Sequence, residues 1–444
     1  MTNTKHSILL AAALLAASAP AQDLVPKAAP QAGPILIRYA TVHTVSGGTL
    51  ENAALLFEGG VIRAVGSDAT AALGGSGAEV IDARGKHVYP GFVCVASTLG
   101  LAEIGSVDMT IDTSEAGSFN PEVYAAVAMN PDSWLIPVTR RNGVLTCGVM
   151  PQGGTVPGRL SVARLDGWTW EDMAIERDAG LLVSWPFIGS GGGGSRFRRG
   201  GGGGGDSEEQ IARIDALFDA GDAYLAARAA DPRIKTDLRL EGLAPTLAGD
   251  TPVFIEATTV EQIESAVGWA ARRGVRAVIV GGRDAGLCAD LLKRHDVAVA
   301  VTGVHRMPHR RDLSYASTYE LPAILEEAGV KWCLTMSARS TSSARNLPYE
   351  AAAAVAFGLS RDAAVRSITL SAAECLGVGD RLGSLEAGKA ATLFIADGDP
   401  LELSTRIEAA FIDGRRIDLR DKQTELDAKY REKYRQLGEI TDEG

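Results

Sequence analysis

His305 and His309 stand four apart in the loop Gly303-Val304-His305-Arg306-Met307-Pro308-His309-Arg310-Arg311-Asp312. Imidazole moves protons near neutral pH and ligates divalent metals, so this pair is the first candidate for chemistry. The loop follows the apolar run Val297–Val301 and is carried on the exit of a predicted strand. Pro308 disfavours regular helix there, so the spacing alone does not put both rings on one face. A metal or general-base role and a structural or ligand-recognition role both remain open. His43, His87 and His295 lie in or beside predicted elements and read as structural. Glu103, Asp108, Asp112 and Glu115 fall within 13 residues, as oxygen donors for a hard cation or as a solvated acidic loop. Arg339, Arg345 and Asn346 follow the apolar run from Trp332 to Ser337, where guanidinium groups could clamp a carboxylate or serve as surface charge. Trp168 and Trp170, set among acidic residues in 166–172, fit a ligand face or ordinary packing. The chain has no nucleophile-elbow, phosphate-loop or dinucleotide signature.

These residues need a frame. Short apolar segments at Val253–Ala257, Val275–Val280, Val297–Val301 and Trp332–Thr335 alternate with helical patterns through Val260–Arg273, Ala285–Arg294, Ala323–Ala328, 348–358 and 361–375. That alternation predicts a parallel α/β sheet or barrel. Short β-rich runs separated by turns occur at 34–66 and again at 392–414, so both chain ends contribute to a second, smaller β unit.

The chain has 444 residues, a formal net charge of -11 and 46% hydrophobic residues. Nothing in this acidic composition offers the basic footprint of a nucleic-acid binder, and the apolar content excludes disorder. Lys5 and His6, the apolar run Ile8–Ala17 and Ala19-Pro20-Ala21 predict a signal peptide over 1–21, with a mature start near Gln22 and a periplasmic or secreted protein. No integral membrane segment is expected after its removal. Cys94, Cys147, Cys288, Cys333 and Cys375 lie in apolar stretches and read as buried thiols, most of them unpaired. Eleven of the 17 residues in 189–205 are Gly, the composition of a flexible insertion. Leu426, Tyr430, Tyr434 and Leu437 recur at helical spacing, predicting an amphipathic C-terminal helix within 421–444, docked on the body or used as a subunit contact.

Two motifs carry a resemblance. Gly85-Lys86-His87-Val88-Tyr89-Pro90-Gly91-Phe92-Val93 resembles the entry to the first barrel strand of the amidohydrolase superfamily. Asp380-Arg381-Leu382-Gly383-Ser384-Leu385-Glu386-Ala387-Gly388-Lys389, followed by Asp397-Gly398-Asp399-Pro400-Leu401 and Asp413-Gly414-Arg415, resembles its return to a small β-sandwich. The nearest subgroup in character is the imidazolonepropionase-like amidohydrolases. The resemblance implies a (β/α)8 TIM-like barrel over 91–384, a composite β-sandwich from 22–90 and 385–420, and metal-assisted hydrolysis at an amide or cyclic-amide C–N bond. One or two zinc-like divalent ions would activate water at the C-terminal ends of the barrel strands.

Carried over residue by residue, the pattern changes. Aligned on Pro90-Gly91, the first strand's His-x-His positions hold Ala96 and Thr98. Glu256 stands where another strand carries a His and is the one metal ligand the resemblance leaves. Gly281 takes a further His position, Ser337 that of the proton-moving Asp, and Ala390 and Thr392 stand where the return motif usually has Asp. No Lys between Lys86 and Lys235 is available to bridge two ions. A methyl group ligates nothing, and a neutral hydroxyl is a poor zinc ligand. The expectation is an exported amidohydrolase-family protein, nominally a C–N hydrolase with a degenerate centre, or else an inactive binding, scaffold or helper subunit. Candidate catalytic residues are His305 and His309, with Arg339, Arg345 and Asn346 for substrate and Glu256 for metal. The partners expected are a small-molecule ligand and a homo- or hetero-oligomer, with no nucleic acid.

Overall fold

A computed structural model describes residues 25–67, 69, 77–188, 207–339 and 341–441. The predicted signal peptide at 1–21 and the Gly-rich insertion at 189–205 lie outside the described residues.

The N-terminal β-rich segment folds as β1 (Ile35–His43), β2 (Thr49–Glu58), β3 (Val61–Val65), β4 (Glu79–Asp82) and β5 (His87–Pro90). Gly59 and Gly60, at φ 61° and 79°, make the two-residue turn between β2 and β3 that side chains would strain. The barrel follows: β6 (Phe92–Ser97), β7 (Val144–Val149), β8 (Gly158–Arg164), β9 (Ala174–Ser184), β10 (Val253–Ala257), β11 (Ala277–Gly281), β12 (Ala298–Thr302) and β13 (Trp332–Thr335). The chain then returns as β14 (Leu393–Ala396), β15 (Ile407–Ile412) and β16 (Arg415–Arg416).

Both chain ends share one mixed sheet, ordered β16-β15-β14-β5-β1-β2-β3 with β4 on β1. β14 runs antiparallel to β5, matching Leu393 to Pro90 and Ala396 to His87. Ile37, Leu55, Phe57, Val88, Leu393 and Phe411 form its core, so sequence-distant halves depend on each other for burial.

The second sheet runs β6 to β13 in chain order. Its strands read as continuous apolar runs because both faces are covered: Val253 and Ile255 pack toward the helices, while Phe254 fills the interior. The helix Val260–Arg273 shows the local logic, with a Thr259/Gln262 capping box at its start and Gly274 at φ 69° at its end. The sheet departs from an all-parallel barrel at β8, which is antiparallel to β7 and β9. The short link from Val149 to Gly158 explains this, because a parallel crossover needs a dozen or more residues. The sheet nearly closes. β6 and β13 are joined through the Ala96 amide on Thr335 Oγ1 at 2.8 Å. The Val93 amide meanwhile bonds the Ile368 carbonyl at 2.8 Å, between the helices Arg361–Ser367 and Leu370–Cys375.

The C-terminal helix, Lys422–Gln436, begins at an Asp421/Thr424 capping box but buries no residue of its own. Leu426, Tyr430, Tyr434 and Leu437 all stay exposed. At its start Lys422 lies over Trp134; the apolar stripe is not packed on the body, and the alternative of a subunit contact stays as the sequence left it. All five cysteines are free, four of them buried.

Candidate functional site

In the parallel strands the last inward residues and the loops that follow form the C-terminal mouth. Glu256 shares the inward parity of Phe254 and accepts a 2.7 Å bond from Ser184 Oγ on neighbouring β9. Thr302 and Thr335 are register partners across β12 and β13. Between β13 and β6 the mouth is filled by protein: Ala338 packs with Ala96 and Met150 in the interior cluster. Its carbonyl accepts from Thr98 Oγ1 at 2.9 Å and from Gln152 Nε2 at 2.6 Å. Ser337 Oγ accepts from the Arg339 amide at 3.4 Å, and Gly281 turns the backbone at φ 111°. Hydroxyls, one carboxylate and a backbone carbonyl therefore line this end. Among the described residues no three His, Cys, Asp or Glu side chains converge as a metal site would require.

The predicted histidines are on the rim, each held by its own carboxylate. Glu350, on the helix Leu347–Ala356, is buried and accepts from the amides of Val304 and His305 at 2.5 and 3.0 Å. Its Oε2 also lies 3.2 Å from His305 Nδ1. Gly303, at φ 66°, allows this approach, since the Glu350 carboxylate sits about 3.4 Å from where a Cβ would stand. The His305 ring itself is half exposed and meets Tyr319 edge-on.

His309 instead joins the buried Asp284, whose Oδ2 lies 3.2 Å from His309 Nε2 and 3.0 Å from the Arg310 guanidinium. The same oxygen accepts from the Val260 amide at the start of the helix behind β10. His309 Nδ1 is buried without a hydrogen-bond partner among the described residues. Sequence reading missed Asp284, Glu350 and Ser184. Asp284 alone carried a legible signal, following a Gly-Gly turn just past an apolar strand.

The other candidates scatter. Arg339 is exposed beside the mouth. Arg345 and Asn346 lie in the outer layer, where Asn142 Nδ2 donates 2.8 Å to the Arg345 carbonyl just before β7 begins. Asp108, Asp112 and Glu115 are exposed; half-buried Glu103 is pushed up by desolvation and accepts from Asn130 at 3.3 Å. Asp166 is buried under Arg140 and Arg415 at the junction of the two sheets. Trp170 packs against the core near Arg177, while Trp168 is exposed. His43 lies 3.0 Å from His87 and stacks on Tyr89, and burial with the His87 charge drives it down to about 4. His295 is at the opposite end, on a cavity of about 1090 Å³ lined by the starts of β10 to β13.

The sequence model of the amidohydrolase family matches residues 259–419. The match runs through β11 to β16 and takes in both rim histidines. Among curated proteins, "Amidohydrolase tasK" of Hapsidospora irregularis is 26% identical over 394 residues, covering 81% of this chain and 39% of its own. The chain thus spans about two fifths of that relative. Among solved structures, an amidohydrolase from Thermotoga maritima MSB8 superposes with a TM-score of 0.75 at 24% identity, covering 87% of this chain and all of that one. An adenosine deaminase from Xanthomonas campestris with bound zinc matches with a TM-score of 0.51 at 17% identity, over 93% of this chain and 100% of that one. These likenesses establish the fold: a nearly closed eight-strand barrel with a separate sheet from both chain ends.

Proposed function

We propose that this chain is an amidohydrolase-family protein of C–N hydrolase descent whose barrel has given up the metal-dependent step and serves as a binding or helper subunit. The observation that carries this reading is the mouth itself. Where the family's resemblance calls for metal donors and the proton-moving Asp, the residues are Ala96, Thr98 and Gly281 and then Ser337, with Glu256 alone able to ligate. Ala338 is packed into the same space and held by Thr98 and Gln152. A hydrolytic zinc site takes three protein ligands and an open position for water, and this donor set does not fit that need. Glu256 and Ser184 would act as polar contacts for a small ligand, and the helper role is supported by the curated relative's extra length, within which a chain like this one accounts for one part.

Metal content per mole of purified protein, measured by elemental analysis after mild dialysis, tests this. Background metal in a folded protein is expected. Near-stoichiometric zinc, iron or manganese, lost in a His305→Ala/His309→Ala double variant, would overturn it.

A second reading has its own observation: the His309–Asp284 pair, with the far ring nitrogen unpartnered, has the form of an oriented general base. Turnover of an amide or cyclic-amide substrate abolished by His309→Ala and retained in His305→Ala would favour it. We also propose export, on the strength of the charged start, apolar run and Ala19-Pro20-Ala21. N-terminal sequencing of periplasmic or secreted protein should then begin near Gln22.

A further inference from the structure

Arg283 and Arg306 leave adjacent barrel strands on the same rim. Arg283 is two residues past the end of β11 and Arg306 four past the end of β12, and those strands pair directly, Gly281 against Val301. Both backbones are fixed. On either side of Arg283, the Gly282 amide bonds the Ala257 carbonyl at 2.8 Å and the Asp284 amide bonds the Thr258 carbonyl at 3.1 Å. Gly282 is needed for this path: at φ 56° a Cβ there would come within 2.5 Å of Val299. The Arg306 amide bonds the Val304 carbonyl at 2.7 Å, and its own carbonyl accepts from Thr318 Oγ1 at 2.9 Å.

The nearby acids are committed elsewhere. Asp284 is turned to Val260, His309 and Arg310, and Glu350 to the amides of Val304 and His305 and the His305 ring. Among the described residues neither Arg283 nor Arg306 bonds a carboxylate, although both are partly buried. Desolvation and the Arg283 charge push the Arg306 guanidinium down, and Glu350 only partly offsets this. Two partly buried arginines carried on the exits of directly paired strands place like charge on one stretch of rim, an arrangement that an anion would relieve.

We propose that Arg283 and Arg306 form a two-guanidinium clamp for an oxyanion, the carboxylate or phosphate group of a small ligand seated at the C-terminal mouth. Planar guanidinium forks match the paired oxygens of either group. The clamp does not depend on whether the barrel retains turnover.

Calorimetric titration of the full chain with inorganic phosphate and, separately, with succinate tests the site and distinguishes phosphate from carboxylate. The variants are Arg283→Gln, Arg306→Gln, their combination, and Arg311→Gln as an exposed control of equal charge change. At least one probe is expected to bind with one-to-one stoichiometry, with affinity about tenfold weaker in the double variant, roughly 1.4 kcal/mol, and within about twofold in Arg311→Gln. Since neither guanidinium bonds a carboxylate among the described residues, the melting temperature without ligand should not fall. A double variant that binds both probes as wild type does, an equal loss in Arg311→Gln, or no binding of either probe would each overturn the proposal.

Discussion

The two ends of the barrel are finished in opposite ways. At the C-terminal end the chain closes over itself, with Ala338 in the interior and its carbonyl shared by Thr98 and Gln152. At the N-terminal end a cavity of about 1090 Å³ opens between Glu176, Asp178, Asp250, Arg276, Trp332 and Glu374. The closed end carries the loops with the buried carboxylates and partly buried arginines, whereas the open end is rimmed by satisfied pairs. Lys331 holds Asp296, Arg366 holds Glu374, and Trp332 holds Glu326. Size of opening and density of poised chemistry therefore do not coincide here. A cavity most of whose charged groups already have partners offers a ligand less than a rim with two guanidinium groups that bond no carboxylate among the described residues.

The largest effect expected from a single substitution is at the wall of the open end. Arg159 on β8 is fully buried and paired with Asp178 at 2.6 Å, and also donates to Thr251 and to the Gly242 carbonyl. Arg159→Ala removes these bonds and leaves Asp178 without its partner, so a loss of about 3–5 kcal/mol is expected in urea unfolding. A loss under about 1 kcal/mol would mean that the wall does not depend on the pair. The same wall contains Cys375, the one cysteine that is not fully buried. A thiol reagent should therefore label a single cysteine of the native protein, and Cys375→Ser should abolish that labelling. Reaction of several thiols at equal rates would show that the junction of β6 and β13, where Cys94 and Cys333 are buried, opens as readily as the cavity.

At the closed end, Glu350 is the strongest single support of the rim. Its carboxylate takes two backbone amides in a charge-assisted arrangement. Glu350→Gln keeps the size but loses the charge and one acceptor, and should cost about 1.5–3 kcal/mol. The same variant should loosen 303–310, seen as faster amide exchange there than in wild type. Unchanged exchange at Val304 and His305 would remove Glu350 from this role.

The contrast between the ends was only partly legible in the sequence. Apolar runs such as Val253–Ala257 and Val297–Val301 announce buried strands because periodicity and burial have the same cause. The Pro90-Gly91 entry and the Leu382–Lys389 return fix where the barrel begins and ends. The helix predicted over 361–375 is instead two, Arg361–Ser367 and Leu370–Cys375, because Ile368 is drawn off to serve the Val93 amide, a tertiary demand that local pattern does not contain. The reversed β8 escaped for a similar reason, since strand direction depends on link length more than on composition. His305 and His309 are legible as rim residues, but their partners Glu350 and Asp284 lie 45 and 25 positions away along the chain. No spacing rule brings such pairs together. Arg345 and Asn346 follow a barrel strand in sequence yet turn to the outer layer, which only the packing of 341–346 against the helix Leu135–Arg140 decides.

The smallest effect bears most directly on how the mouth was closed. Thr98 Oγ1 donates to the Ala338 carbonyl, and Gln152 donates to the same oxygen. Thr98→Val conserves shape and removes one of the two donors, so the carbonyl keeps a partner and the cost should be about 1 kcal/mol. In the background of Gln152→Leu the carbonyl would lose both donors while staying buried, and the double variant should cost more than the sum of the singles. That excess is the signature of a closure built cooperatively around Ala338. Strict additivity would instead describe two independent surface bonds over a mouth that opens on its own. The β13–β6 side of the mouth would then be as accessible to a ligand as the rim beside β11 and β12.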